Sequence, residues 1–335
     1  MIYLISRDTQ YSPNSEARDE AIFKAVALAL SLQGEPIAAI DENRLPAAFT
    51  GADLVLSMAR SRTAQTTLAA AEAAGLTIWN SPTALLRHSR ADLDGWFNEA
   101  GCGAPFLHNV TDPELIVRTL GLPLWLKRSD SAAKTADDVR FIADEDQLRA
   151  ALADFAAAGI DDFIVSAHIE GDLVKFYGVE GTPFFSHTYP THENGFSKFG
   201  LEQHNGTPAE HPFSLADLKT TADAAARHFG RPIYGGDAIV RPDGRFFLID
   251  FNDWPSFGSC TQAAAEAIAH RALHSFVATP NFSSLFPWLK TRTCNRPSKA
   301  PTPKKTLTST SPAPSVCCGR ASSISSASTP MSSPF

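Results

Sequence analysis

The chain has 335 residues, 44% of them hydrophobic, and carries a net charge of −7. That length supports two or three compact units around a large core, while the acidic balance argues against a nucleic-acid partner, which needs a basic surface for phosphates. Five cysteines with no CxxC or Cys/His spacing suggest neither a disulfide framework nor a zinc site, and no apolar run approaches the roughly 20 residues of a membrane span, so a protein of the reducing cytoplasm without membrane attachment is expected.

In chain order, residues 2–6 read as a buried strand and 15–33 as an amphipathic helix closed by Gly34. Residues 36–40 and 53–58 read as further strands, 63–74 as an alanine-rich helix stopped by Gly75, and 76–79 as another strand. Strands alternating with helices at this spacing imply an α/β layer with a parallel sheet over residues 1–82. Ser81 is placed as N-cap, and Pro82 in the first turn, of the next helix. A second unit, 83–289, carries strands at 123–128, 139–143 and 163–168, with a helix at 145–158. A hairpin of 173–179 with 183–188 turns at Glu180-Gly181, and 190–212 is a long loop rich in His, Gly, Asn and Pro. A helix at 215–229, two strands around Asp243-Gly244 and a helix from 261 to about 277 complete the unit. Residues 290–335 are rich in Ser, Thr and Pro, lack Asp and Glu, and show no periodicity. Such a segment cannot bury enough apolar surface to offset its chain entropy, so a disordered tail is expected.

The most informative stretch is GGDAIVRPDGRFFLIDFNDWPSF, residues 235–257. Asp243-Gly244 is a strong hairpin signal. With those two residues as the loop, pairing counts outward to set Asp237 opposite Asp250, with Asn252 on the same face as Asp250. Facing side chains on such a pair have Cβ atoms about 5 Å apart, where two carboxylates repel. A hard divalent cation, which takes carboxylate and amide oxygens, is the usual reason to keep them there; a solvated hairpin with chance acids is the alternative. The opposite face, Ala238, Val240, Phe247 and Ile249, is apolar and suited to a core.

Two further clusters carry cations. Lys127 ends a strand and leads through Arg128 into a small-residue loop with Ser131, Lys134 and Thr135, a composition that can cradle phosphate. In IVSAHIEGDLVKFYG, residues 164–178, a strand end at Ser166, Ala167 and His168 could pair with an adenine through its backbone. Past the turn, Asp172 could hold a ribose and Lys175 could reach toward phosphate, or both could sit in solvent.

The order strand-Lys with polar loop, hinge strand, Gly-Asp turn with Lys, then Asp…Asp-x-Asn resembles the ATP-grasp superfamily over roughly residues 80–285, carried by LKRSD, EGDLVKFYGV and the 235–257 stretch. The resemblance implies an α+β fold in which two subdomains grip ATP, with the α/β layer before it as the usual N-terminal domain. By position it assigns Lys127, Lys175 and Arg90 to the ATP phosphates, Arg90 lying on the helix after Asn80-Ser81-Pro82. It adds Ser131 and Lys134 to the phosphate loop, places the adenine hinge at Ser166, Ala167, His168 and Ile169, and gives Asp172 the ribose. Asp237, Asp250 and Asn252 would hold Mg²⁺, or Mn²⁺ in its place.

Two departures stand out. Ala132-Ala133 replace the glycines common in the phosphate loop, and Gly235 stands where amino-acid-ligating members carry an arginine that steadies the tetrahedral oxyanion. The implied activity is a carboxylate–amine or carboxylate–thiol ligase working through an acyl phosphate. A small-molecule kinase, resembling the inositol-polyphosphate kinase branch, and a non-catalytic nucleotide binder are the alternatives. His192 and Lys198 in the long loop are candidate contacts for a small anionic substrate, and Arg241 is a further one, although it lies near the hairpin turn. The sequence leaves the oligomeric state open, a homodimer being the commonest soluble assembly.

Overall fold

Apolar side chains alternate along the first strand, and the structure, a computed structural model describing residues 1–12, 14–129, 136–190 and 204–275, divides them between two cores. In β1 (Ile2–Ser6), Ile2 and Leu4 pack against α1 (Glu16–Leu32), while Tyr3 and Ile5 pack against α2 (Arg62–Ala73). β2 (Ile37–Asp41), β3 (Leu54–Ser57) and β4 (Ile78–Trp79) complete a parallel sheet in the order β2-β1-β3-β4. This is the expected N-terminal layer.

Ser81 caps α3 (Pro82–Arg87), which ends after six residues. Ser89 then opens α4 (Arg90–Glu99) with a reciprocal capping box to Asp92. Arg90 therefore begins a second helix and does not continue the one capped by Ser81, as the sequence had suggested. β5 (Phe106–His108) and α5 (Pro113–Leu120) were not anticipated. The signal for α5 was present: Asp112 caps Glu114 and Leu115, Pro113 takes the first turn, and Gly121 ends it at φ 76°. β6 (Leu124–Arg128), β7 (Val139–Ile142), α6 (Glu145–Ala157) and β8 (Phe163–Ala167) follow the expected order. Their antiparallel sheet, β5-β8-β6-β7, buries Leu124, Leu126 and Val165 against α5 and α6, leaving Trp125 and Lys127 on its other face.

β9 (Asp172–Val179), β10 (Phe185–Thr188), β11 (Ile233–Val240) and β12 (Phe246–Asp253) form a second antiparallel sheet, β10-β9-β11-β12. Phe176, Tyr234, Leu248 and Phe251 on one face pack against α4 and α7 (Leu215–His228). The closing helix α8 (Thr261–Ser275) packs beside α1, in one core with Val179, Ile233, Trp254 and Phe257. Met1–Ala278 forms one compact unit, so the α/β layer and the second sheet share a core. No helix among the described residues is long and apolar enough to cross a membrane. The expected tail at 290–335 lies outside the described residues, as do Ser131, Lys134, His192 and Lys198.

Candidate active site

The two strands of the acidic hairpin meet, but by a different count from the one the sequence suggested. Pairing closes at Val240 with Phe246, Arg241 donates its N–H to the Arg245 carbonyl, and Gly244 takes the left-handed position at φ 79°. That starts the ladder one residue out of step with a two-residue loop. Ile249 then bulges between the Ala238–Leu248 and Asp237–Asp250 pairs, which cancels the offset and brings the two carboxylates opposite each other. The offset at the turn and the bulge together correct the expected core face. Leu248 and Phe251, not Phe247 and Ile249, join Ala238 in the core.

Register carries the arrangement across all four strands. Thr188, Lys175, Asp237 and Asp250 form one row; Ser186, Tyr177, Gly235 and Asn252 form the next. Lys175 Nζ lies 3.2 Å from Asp237 Oδ1, and the Asn252 amide donates to Asp250 Oδ2 at 2.9 Å. Arg90, from α4, reaches Asp250 Oδ1 at 3.3 Å. Lys127, from the facing sheet, donates to the Ile249 carbonyl at 3.4 Å. The start of α4 is held to the end of β6, where the Ser129 carbonyl and hydroxyl accept from the N–H groups of Arg90 and Ala91. Three separate elements thus deliver Lys127, Lys175 and Arg90 to one acidic edge.

Electrostatics sharpens this picture. Burial lowers the pKa of Lys127 against the pull of Asp94, Asp250 and Asp237. Burial alone would raise Asp250, but Arg90, the Asn252 amide, Lys127 and Lys175 outweigh it and hold the carboxyl below the usual range. Asp94 was missed in the sequence. It is 6% exposed on α4 and pushed up by burial, with Lys127 and Arg90 drawing it down. The signal for it was its place four residues after Arg90, one turn along the same helix face.

Two carboxylates and an amide offer hard oxygen donors of the kind Mg²⁺ and Mn²⁺ take. Each carboxylate already contacts a cation. Among the described residues no cluster of three His, Cys, Asp or Glu side chains makes a metal site, so the candidate set depends on the amide oxygen of Asn252. Arg90 Nε is buried with no hydrogen-bond partner among the described residues, an orphaned donor that suits an anionic ligand. The residues present fit a metal–phosphate ligand.

Other candidates are placed differently. Asp172 is 4% exposed, and its two oxygens accept the N–H groups of Ala209 and His211, both at 2.7 Å. It fastens the segment leading into α7, a structural role that the sequence did not indicate. Arg241 sits in the hairpin turn, four residues from Asp237 or about 13 Å along the strand, at the end where Val240 pairs with Asp172. The register does not bring it to the row of Tyr177, Gly235 and Asn252. At the hinge, the N–H groups of Ala167 and His168 donate to Pro105 and Pro123, and Ser166 is buried. The N–H of Ile169 has no backbone partner among the described residues. The adjoining wall is aromatic: Trp125 donates to His168 Nδ1 at 3.0 Å, and His204 stacks on Phe141 at 4.2 Å. At Gly235, an added Cβ would lie 2.9 Å from Pro255 and 3.1 Å from the Tyr177 ring, so the space for an arginine there is filled.

No protein-family model matches the chain, and no curated protein matches it in sequence. Solved structures do. The chain is similar to the ATP-grasp ligase PsnB complexed with minimal precursor, at 15% identity and a TM-score of 0.55, covering 82% of this chain and 98% of that one. It is similar to the RimK domain protein ATP-grasp from Sphaerobacter thermophilus, at 15% identity and a TM-score of 0.57, covering 80% of this chain and 98% of that one. It is also similar to D-alanyl-alanine synthetase A from Vibrio cholerae, at 12% identity and a TM-score of 0.56, covering 80% and 92%. The chain has the ATP-grasp fold.

Proposed function

We propose that this chain is an ATP- and Mg²⁺-dependent ligase that activates a substrate carboxylate as an acyl phosphate for attack by an amine or thiol. The observation carrying this reading is the convergence of Asp237, Asp250 and Asn252 with Lys127, Lys175 and Arg90. In that role Mg²⁺ would supply charge neutralisation for phosphoryl transfer. Asp237, Asp250 and Asn252 would hold it, and Mn²⁺ suits the same oxygens. Lys127, Lys175 and Arg90 supply preorganised positive charge along the phosphates, where position and electrostatics provide most of the rate. Ile169, at the hinge, offers a backbone N–H for the base. PsnB has been solved with Mg and ADP, and with a precursor peptide and AMPPNP, which supports the same ligand set here.

A second reading is favoured by the packing at Gly235. With no room there for an oxyanion-steadying arginine, a phosphotransferase leaving the phosphoryl group on a hydroxyl fits the same cations. Both readings are tested by Mg²⁺-dependent ADP release over pooled amino acids, peptides, sugar acids and polyols. The ligase releases ADP with orthophosphate only when carboxylate and nucleophile are both present; a kinase releases ADP and a stable phosphoester. Asp250→Asn and Lys127→Ala are expected to lose at least about 100-fold in turnover. Variants as active as the wild type would remove the site assignment.

A further inference from the structure

β12 is the edge strand of its sheet, and among the described residues the outer side of its backbone pairs with other backbone only through an isolated bridge between Leu248 and Gly103. Three arginines take that side where the proposed metal residues stand. Arg231, 5% exposed and following α7, donates to the Phe251 carbonyl at 2.8 Å. Arg60, after β3, donates to the Asp253 carbonyl at 3.3 Å and pairs with the Asp253 carboxylate at 2.6 Å. Arg7, after β1, donates to the Trp254 carbonyl at 2.9 Å and pairs with Asp19 at 3.0 Å. The carbonyls on both sides of Asn252 are therefore held by guanidinium groups from different elements. Asp253, 2% exposed, is the anion they share, since it also attracts Arg7 and Arg231. Trp254, next in line, is fully buried at φ 34°, a conformation that a side chain of its size keeps only under constraint.

We propose that Arg7, Arg60 and Arg231 are positioning residues for metal binding: they hold the backbone around Asn252, and so aim its amide and the Asp250 carboxylate at the cation. The inference rests on Asp237, Asp250 and Asn252 being the metal set. Two of the three arginines come from the carboxyl ends of the N-terminal parallel strands, so that layer would take part in metal binding without touching the metal. Groups that orient ligands typically change metal affinity by about 10- to 100-fold when removed.

The test uses the full chain and Mn²⁺ with AMPPNP, read by the electron paramagnetic resonance of free and bound Mn²⁺, beside a thermal melt. Arg60 is the choice for substitution because its side chain is 22% exposed, against 9% for that of Arg7, and Arg231 is buried. Arg60→Gln is expected to weaken Mn²⁺ binding about tenfold, with Arg60→Lys intermediate, while both variants melt cooperatively. Wild-type affinity in Arg60→Gln, or in Arg60→Lys if the glutamine variant does not fold, overturns the proposal. A loss of affinity that merely tracks a lowered melting temperature across the two variants overturns it too. Asp250→Asn separates this inference from the functional reading. If the wild type binds no Mn²⁺, or Asp250→Asn binds as tightly as the wild type, the metal set itself is wrong and both fall.

Discussion

A lysine only 7% exposed, as Lys127 is, carries a charge that the protein solvates less well than water does. Three nearby carboxylates pull its pKa up, yet burial wins and the value falls. Lys127→Met should therefore raise the melting temperature at neutral pH, since a lowered pKa means that folding disfavours the charged amine, while weakening AMPPNP·Mg binding. The sign of the pH dependence follows. Between the lowered folded pKa and the unfolded value of about 10.4, the unfolded wild-type chain binds the extra proton. Wild-type stability consequently rises with pH across that window, and the advantage of the methionine variant shrinks. Melts of both proteins in a pH series check this; an advantage that grows toward alkaline pH contradicts the burial of a charged amine. At this scale, residue types were legible in the sequence and their surroundings were not. Lys127 and Asp250 could be picked out, but the company of Asp94 needed the packing of α4 against the acidic edge.

Among the elements, the acidic hairpin shows how a correct pairing can arise from an incorrect count. Asp-Gly announced the turn, but its length and the bulge at Ile249 each shift the ladder by one residue in compensating directions. A bulge leaves little trace in an apolar sequence such as FFLI, because any of its side chains can occupy the unpaired place. Close backbone approach is equally hidden. A Cβ at Gly236 would lie 2.4 Å from both the Asp250 carbonyl and the Phe176 ring, so Gly236→Ala should cost about 1–3 kcal/mol through forced displacement of β12. Chemical denaturation would measure the cost, and Mn²⁺ affinity should fall with it because Asp250 moves. Unchanged stability would mean that the strand tolerates the displacement. Asp172 teaches the complementary lesson: its place after the Gly turn suggested a ligand contact, whereas the N–H groups of Ala209 and His211, remote in sequence, claim both oxygens.

Taken as a whole, the molecule joins its N-terminal layer to the proposed catalytic sheet by buried polar links. Asn80, fully buried, acts as a piece of backbone: its amide donates to the Ile233 carbonyl at 2.8 Å and accepts the Ile233 N–H at 3.0 Å. Asn80→Ala leaves both groups unpaired and should cost about 3 kcal/mol, lowering the melting temperature by about 6 °C or more in a single transition. Two separated transitions, or no shift, would show that the layer and the sheet fold independently. Length, strand–helix alternation and the spacing of acids around one turn were enough for the sequence to determine the N-terminal parallel layer, most of the later strands and the acidic hairpin, because periodicity and turn chemistry are local properties. Only the tertiary structure decided that Arg7, Arg60, Asn80 and Arg90 all converge on that hairpin. Those contacts join residues between about 150 and 250 positions apart in the chain, and nothing in local periodicity specifies which distant polar group will meet an unpaired backbone carbonyl.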